Sequence, residues 1–495
     1  MRADSAVKTF ARGVMWMTLG SIGARAVTLI SSVILARLLL PEHFGLFSTA
    51  MVVINAIQLI PDLGLTQALI VHSDSNQRAS STSFYAILTT ATLLATAVYL
   101  GAGFIAHIAR QPQVAPVLQV LAVNLVVSAA ASVPIALMQK AQRWRAQAMV
   151  EFAAPVASAV VMVLMAYWGY GVWSIVGGSL TRSAVLALSV WILSRWRPSG
   201  GVDWHLLRAL FRYSRWIVIE RISAFLLLNT DNAYLARWQG ARMLGFYALP
   251  YNWISVPVGY FVLQANRVLL PVLSALSNLE QQKAVLLKAL RTLSFVLSPI
   301  YFFLIFHAAL FVHTLFGAKW SPSVPVLQWL ACYALAYSLA GGILSSFYWA
   351  TRRPQLAVYP TWAGLAVAGA GLVWSAGEWD ALSVAKCFTI AMYTRGLLML
   401  AGLRVYGVFN MSEVLQAVTR GWIPSILSAL ATALLTPLIP LDSTGKLLAV
   451  VIIYAILYLV ICGTLWERKP LAYFGRERWQ RALSGVRPMP NRPSS

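Results

Sequence analysis

The chain has 495 residues, of which 59% are hydrophobic and only 11% are charged, and its formal net charge is +23. Soluble domains carry about 25% charged residues, so this composition excludes an ordinary soluble domain. A strong positive charge first suggests a nucleic-acid partner. The way the charge is distributed along the chain indicates a membrane topology signal instead, and we expect no nucleic-acid partner.

Apolar stretches of about 20 residues, each long enough to cross a bilayer as a helix, follow one another along the chain. Fourteen spans are predicted, at 13–36, 44–70, 84–108, 113–138, 150–168, 171–194, 213–236, 243–273, 284–311, 324–350, 355–376, 381–403, 421–440 and 446–466. The polar pieces between them are too short to form a soluble domain. The sequence therefore predicts an all-α membrane protein.

Cysteine and histidine residues give no sign of a metal site. Cys332, Cys387 and Cys462 lie singly in different predicted spans, and the six histidines are scattered without an H-E-x-x-H motif. The sequence also lacks a G-x-x-x-x-G-K-[ST] loop for nucleotide phosphates. We expect neither a metal nor another cofactor.

Basic residues predict the orientation of the chain in the membrane. Most of the 38 Lys and Arg residues fall in the N-terminal segment, in alternate loops and in the tail after Trp466. The positive-inside rule then places both termini in the cytoplasm. The basic tail from Arg468 to Arg492 is expected to be solvated and to hold the topology, with contact to anionic membrane lipids as the alternative.

The start of the chain recurs, weakly but without gaps, 200 residues later. Eight identities carry the repeat: Arg12 and Arg212, Trp16 and Trp216, Ile22 and Ile222, Ala24 and Ala224, Leu35 and Leu235, Ala36 and Ala236, Arg37 and Arg237, and Gly45 and Gly245. Six predicted spans separate the copies, and an even number keeps both in the same orientation. The chain is therefore predicted to contain parallel repeats about an axis along the membrane normal.

The repeat predicts how the chain is divided. Residues 1–195 form an N-lobe of helices one to six, and residues 213–405 form a C-lobe of helices seven to twelve, around a central cavity. Residues 196–212 are the cytoplasmic linker between them. The remaining units are a helix pair at 406–466 and the basic cytoplasmic tail at 467–495. The pair could dock on one lobe or line a lipid-facing groove.

Several segments resemble a known family. These are Leu35–Gly45, Asp62–Ile70, Asp231–Arg237, Leu244–Tyr247 and Leu270–Leu276. They are similar to segments of bacterial polysaccharide (Wzx-type) flippases, within the multidrug/oligosaccharidyl-lipid/polysaccharide exporter superfamily. The resemblance covers most of residues 8–405, and fourteen spans are usual in that family.

The resemblance implies a transporter and not an enzyme. Such a flippase would carry polyprenyl-pyrophosphate-linked oligosaccharide repeat units from the cytoplasmic to the periplasmic leaflet of the bacterial inner membrane. It would do so by alternating access between two lobes, without nucleotide hydrolysis, and would serve exopolysaccharide, capsule or O-antigen synthesis. Its partners would be the lipid-linked oligosaccharide and membrane lipids, and could include a polysaccharide polymerase and export machinery.

Arginines inside the spans are the main candidates for binding the substrate. An ionised side chain in the bilayer is costly, so it normally faces an aqueous cavity or a partner. Arginine binds pyrophosphate oxygens through two parallel hydrogen bonds. Arg25 and Arg267 rank first because the first and eighth helices commonly line the cavity in similar flippases, and Arg182 and Arg221 follow. For each, a structural ion pair is the competing interpretation.

Other charged residues in the spans have two interpretations. Asp62, Asp231 and Glu220 could pair with the bases and stabilise a lobe, or could titrate and couple transport to a proton or sodium gradient. We favour the structural role for the two aspartates because both lie in motifs that define the fold. Lys386 is expected to extend towards the interface, whereas Arg395 is expected to lie deeper on the same helix. Arg37 and Arg237 occupy matched positions and are expected to make a repeated structural contact.

Two other function classes remain possible from the residues alone. A cation-coupled drug antiporter on the same fold would need membrane-embedded carboxylates, whereas the charged residues in the spans here lean only mildly towards basic ones. A membrane enzyme that polymerises or ligates polysaccharide would need a sizeable outer loop with catalytic residues, and the outer loops are short. The flippase is favoured over the antiporter, and the antiporter over the enzyme.

Overall fold

A computed structural model of the chain describes residues 3–62, 77–199 without 142, and 225–465 with short gaps at 227, 277, 354, 376–378 and 408. Within these ranges the chain forms helices and turns and no strand, which confirms the predicted all-α fold. Ten described helices are long and apolar enough to cross a membrane. The count of fourteen spans stays a prediction, because 63–76 and 200–224 lie outside the described residues.

The described residues of the N-terminal half form six helices that pack on one another. They are α1 (Ala3–Leu38), α2 (Pro41–Asp62), α3 (Gln77–Ala109), α4 (Val114–Lys140), α5 (Trp144–Tyr167) and α6 (Val172–Ser194). Helix α5 packs between α1 and α6, and α4 packs against α2, α3 and α6. The tight turn between α5 and α6 uses Gly169 and Gly171, whose φ angles of +84° and +56° favour glycine.

Two glycines allow α1 to approach α5 closely. A Cβ atom on Gly20 would lie 2.9 Å from the carbonyl oxygen of Ala148, and one on Gly23 would lie 2.8 Å from the ring of Phe152. Small residues at helix interfaces are typical of membrane proteins, because close backbone approach increases van der Waals contact. This packing fixes the part of α1 that carries Arg25.

The C-terminal half has ten helices in the described residues. They are α7 (228–238), α8 (Gly240–Ala275), α9 (Leu279–Phe306), α10 (Ala308–Leu315), α11 (Ser323–Ala336), α12 (Ile343–Ala350), α13 (Gln355–Trp374), α14 (Ala381–Gly402), α15 (Met411–Leu435) and α16 (Ser443–Leu465). The predicted span 324–350 is interrupted by a π-helical turn at Tyr337–Gly342, which separates α11 from α12. The predicted span 284–311 is interrupted at His307, where α10 begins.

The most extensive contact between the two halves within the described residues joins α2 to α8. These helices occupy equivalent places in the predicted repeat. The N-terminal end of each helix follows directly on the preceding helix, α1 or α7. We refer to this side of the molecule as the α1–α2 end.

The last helix pair, α15 and α16, docks on α9. Pro299 has no amide hydrogen, so the carbonyl oxygen of Phe295 lacks its helical donor. The hydroxyl of Tyr458 on α16 donates to this oxygen at 2.7 Å, and the hydroxyl of Tyr454 donates to the carbonyl of Pro299 at 2.9 Å. These bonds join the last helix pair to the C-terminal half.

Replacing Tyr458 by phenylalanine is expected to loosen this docking. The part-buried carbonyl of Phe295 would lose its donor, which costs about 1 kcal/mol of unfolding free energy. We expect a lower melting temperature for the purified protein in detergent. Tyr359→Phe is the control, because Tyr359 is 70% exposed on α13 and should melt like the unmodified protein. Equal melting temperatures for both variants would contradict the proposed docking role.

Candidate functional site

Arg25 reaches from the N-terminal half to the C-terminal half. Its guanidinium carbon lies 5.8 Å from the ring centre of Tyr260 on α8. A Cβ atom on the neighbouring Gly259 would lie 3.8 Å from both terminal nitrogens of Arg25, an ordinary van der Waals distance, so the guanidinium lies directly beside the backbone of α8 at this position. The Nε atom of Arg25 is buried without a hydrogen-bond partner among the described residues. Arg25 therefore faces the interface between the halves, with hydrogen-bonding capacity left over.

Arg182 on α6 brings a second positive charge to the same region. It lies within electrostatic range of Arg25 and of Glu151 on α5. The carboxylate of Glu151 accepts a hydrogen bond of 2.9 Å from the side-chain amide of Gln147. Two arginines and one carboxylate leave one positive charge in excess within this cluster. Such an arrangement suits an anionic ligand, since the arginines repel each other until an anion binds between them.

Four predicted site residues cannot be assigned a geometry. Arg221 and Glu220 lie outside the described residues. Arg267 and Asp62 belong to the backbones of α8 and α2, but their side chains lie outside the described residues as well. Their predicted roles stay predictions.

Asp231 lies on α7 and is only 2% exposed. One carboxylate oxygen accepts the hydroxyl of Tyr247 at 2.6 Å, and the other accepts the backbone and side-chain N–H groups of Asn232 at 2.7 and 3.1 Å. A buried carboxylate needs such donors because nothing else replaces its hydration. The described partners of Asp231 are thus neighbouring polar groups on α7 and α8.

A row of tyrosines leads from Asp231 towards Arg395. Successive ring centres lie 6.0, 6.4 and 6.5 Å apart along the row Tyr247, Tyr251, Tyr333 and Tyr337. The guanidinium of Arg395 lies 5.9 Å from the ring centre of Tyr337, and its Nε donates to the hydroxyl of Thr361 at 2.9 Å. Arg395 is 7% exposed and therefore lies inside the C-terminal half, away from lipid. Lys386 on the same helix is exposed, with its ammonium 5.8 Å from the ring of Trp329.

The matched arginines at the α1–α2 end make different contacts. Arg37 donates to the carbonyl oxygens of Thr314 and Leu315 at the end of α10. Arg237 instead lies against the ring of Trp238, with its guanidinium carbon 5.4 Å from the ring centre. The expected repeated contact is therefore not made, because each arginine has a different local partner.

Sequence reasoning missed Tyr260 and Gly259 as neighbours of Arg25. These residues are far from Arg25 along the chain, and neither belongs to an identity of the repeat. A tyrosine and a glycine in an apolar helix carry no distinctive pattern. Their role becomes visible only when the two halves are packed together.

Comparison with known proteins gives a consistent result. The family model described as "Polysaccharide biosynthesis protein" matches residues 34–325. The chain is 25% identical over 325 residues to the succinoglycan biosynthesis transport protein ExoT of Rhizobium meliloti (strain 1021), which is 66% of each protein. It is 26% identical over 348 residues to the lipopolysaccharide biosynthesis protein WzxC of Escherichia coli (strain K12), and this match covers 70% of each protein. The matches thus span about two thirds of the length of these curated relatives.

A solved structure shares the fold. The lipid II flippase MurJ, in an inward closed conformation, superposes with a TM-score of 0.74 at 14% sequence identity. The match covers 91% of this chain and 99% of that chain. The two proteins therefore have the same helical architecture over nearly their whole length.

Proposed function

Because the chain belongs to the polysaccharide biosynthesis protein family, we propose that it is a flippase for lipid-linked oligosaccharides. It moves polyprenyl-pyrophosphate-linked repeat units from the cytoplasmic to the periplasmic leaflet by alternating access between its two halves. The names of the relatives, a transport protein for succinoglycan synthesis and a lipopolysaccharide biosynthesis protein, support this activity over drug antiport. The protein is a multi-span membrane protein, and the inner membrane is its proposed location.

The observation that carries this proposal is that Arg25 faces the interface between the halves and has Arg182 within electrostatic range. A pyrophosphate headgroup carries dense negative charge, and guanidinium groups bind its oxygens bidentately. The excess positive charge of the cluster would offset the cost of moving this anion through the hydrocarbon layer. Arg25 is proposed to contact the pyrophosphate directly, and Arg182 to add a second contact. Arg267 and Arg221 are proposed to extend the same basic surface.

The topology of the proposed transporter follows the charge distribution. Both termini lie in the cytoplasm, and the α1–α2 end faces the periplasm. The lobes are residues 1–195 and 213–405, joined by the linker 196–212. The helix pair at 406–466 is carried by the second lobe, which its docking on α9 supports. A polymerase that consumes the flipped repeat unit is the proposed protein partner.

A reconstituted assay tests the function. The purified protein is placed in vesicles that contain a short polyprenyl-pyrophosphate oligosaccharide on both leaflets, and the outer leaflet is digested with an added glycosidase. We expect the protected inner pool to become digestible over time only in vesicles that contain the protein. Vesicles with denatured protein are the control. An inner pool that stays protected, with protein correctly inserted, would refute the proposed activity.

A further inference from the structure

At the α1–α2 end the backbones of the two halves approach each other closely at two glycines. A Cβ atom on Gly45 of α2 would lie 1.6 Å from the carbonyl oxygen of Ala241 on α8. A Cβ atom on Gly245 of α8 would lie 1.9 Å from the carbonyl oxygen of Pro41 on α2. Contacts of this length are impossible for a real side chain. Each helix therefore approaches the backbone of the other at a position where only glycine fits.

These two contacts are copies of one another. Gly45 and Gly245 are equivalent under the repeat offset of 200 residues, and so are Pro41 and Ala241. Position 45 of one repeat meets position 41 of the other, and the reverse contact is also made. This is the geometry of an isologous interface between two subunits, here formed inside one chain.

Two hydrogen bonds between the halves repeat the same symmetry. The indole N–H of Trp320 donates to the carbonyl oxygen of Ala36 at 2.8 Å. The side-chain amide of Gln111 donates to the carbonyl oxygen of Ala236 at 2.6 Å. Ala36 and Ala236 are a pair of the repeat, and the two donors lie in equivalent loops, just before α4 and just before α11. All four residues are buried, at 8% exposure or less.

We propose that these four contacts form a latch that closes the α1–α2 end, and that the latch opens and closes as a symmetric unit during transport. The latch is defined by the glycine contacts of Gly45 and Gly245 and by the hydrogen bonds of Gln111 and Trp320. The latch consists of two symmetry-related sets of contacts, which equivalent elements of the two repeats supply. Because both sets join one lobe to the other, neither lobe can open this end without breaking both sets. Its purpose rests on the proposed transport cycle, but its closure is measurable without substrate.

The closure is tested by the accessibility of a cysteine beneath the latch. Ser32 on α1 is suitable, because it accepts a hydrogen bond of 3.1 Å from Trp253 on α8 and so lies between the halves. The reporter is Ser32→Cys in a full-length background in which the three native cysteines are replaced by alanine. A membrane-impermeant methanethiosulfonate is added to intact cells, and to inverted vesicles for the opposite face.

Gly45→Ala and Gly245→Ala are each expected to speed labelling of the reporter from outside the cell by about tenfold, as the closed population falls. Alanine favours a helix more than glycine does, so the helices themselves are not weakened. Gly103→Ala is the matched control, because a Cβ atom there meets nothing within 4 Å. Labelling at the parent rate in both Gly45→Ala and Gly245→Ala would overturn the latch.

Two further variants keep the test decisive if a glycine variant fails to reach the membrane. Gln111→Leu and Trp320→Phe each remove one donor, leave an apolar side chain at the position, and are expected to speed labelling by a smaller factor. Adding Ala241→Gly to Gly45→Ala should not restore slow labelling, because the obstructing atom is a backbone oxygen. Restoration by Ala241→Gly, or unchanged labelling in both donor variants, would refute the proposal. Faster labelling in these variants beside a negative vesicle assay would refute the proposed substrate while leaving the latch intact.

Discussion

Arg25→Ala is expected to abolish oligosaccharide export while the protein stays in the membrane at its normal level. The guanidinium faces the interface between the halves and has a buried nitrogen without a hydrogen-bond partner among the described residues. A hydrogen bond to a charged group contributes about 1.5–3 kcal/mol, so losing both bonds of a bidentate pair reduces transport by about a hundredfold or more. Arg25→Lys keeps the charge but loses the fork geometry, and should retain intermediate activity. The vesicle assay and polysaccharide production in cells both measure the effect.

The matched control for this prediction removes an arginine from an exposed position. Arg404 lies in the 3₁₀ turn after α14 and is exposed, so Arg404→Ala removes the same charge from the chain without touching the interface. We expect normal export from this variant. Normal export from Arg25→Ala as well would remove Arg25 from the binding site, and Arg267→Ala provides the same test for the residue that sequence analysis ranked beside it.

The internal repeat allowed the sequence to predict more than the fold class. Ala36, Ala236, Gly45 and Gly245 were recognisable as matched positions, and the structure uses them in matched contacts between the halves. When two repeats place their helices in the same way, the helix backbones come close together at equivalent positions, and only small residues fit at such positions. What the sequence could not show was that the two copies meet each other, since a repeat alone does not say which faces pack.

The interruptions of the helices could not be predicted from hydropathy. The stretch 324–350 is continuously apolar, yet a π-helical turn divides it at Tyr337–Gly342. Hydropathy measures whether residues prefer lipid or protein to water, and both a straight and an interrupted helix satisfy that preference. The turn lies beside Arg395 and ends the row of tyrosines from Asp231, so its position depends on packing inside the C-terminal half.

The positions of charged side chains were predictable only in part. Relative depth along a helix can be counted from the sequence, and the depths of Lys386 and Arg395 in the bilayer stay predictions, whereas their burial inside the protein had to be read from the structure, in which Arg395 is buried and Lys386 is exposed. The direction in which a side chain points cannot be counted in the same way, because it depends on which neighbouring helix each face of its own helix contacts. Arg37 and Arg237 occupy equivalent positions in the repeat, yet Arg37 donates to carbonyl oxygens and Arg237 lies against an aromatic ring.

Asp231→Ala is expected to cause a large loss of stability, and with it a loss of export. The substitution leaves the hydroxyl of Tyr247 and the amide groups of Asn232 without their acceptor inside the protein. Each unpaired buried donor costs about 1–3 kcal/mol of unfolding free energy. The melting temperature in detergent and the amount of protein in the membrane measure the loss. Tyr247→Phe removes one of these donors together with its bond and should be milder.

Asp231→Asn separates the two roles considered for this carboxylate. The amide keeps the size of the side chain, its oxygen can accept both N–H groups of Asn232, and its nitrogen can donate to the hydroxyl oxygen of Tyr247, but it can neither exchange a proton nor attract a cation by charge. If Asp231 is structural, as its short hydrogen bonds to neighbouring groups favour, the variant should melt near the unmodified protein and export within about twofold of it. A variant that melts normally but no longer transports would contradict the structural role and place Asp231 in the transport cycle. A gradient-free vesicle assay then distinguishes lost coupling from lost substrate binding, because only the former leaves equilibration between the leaflets intact.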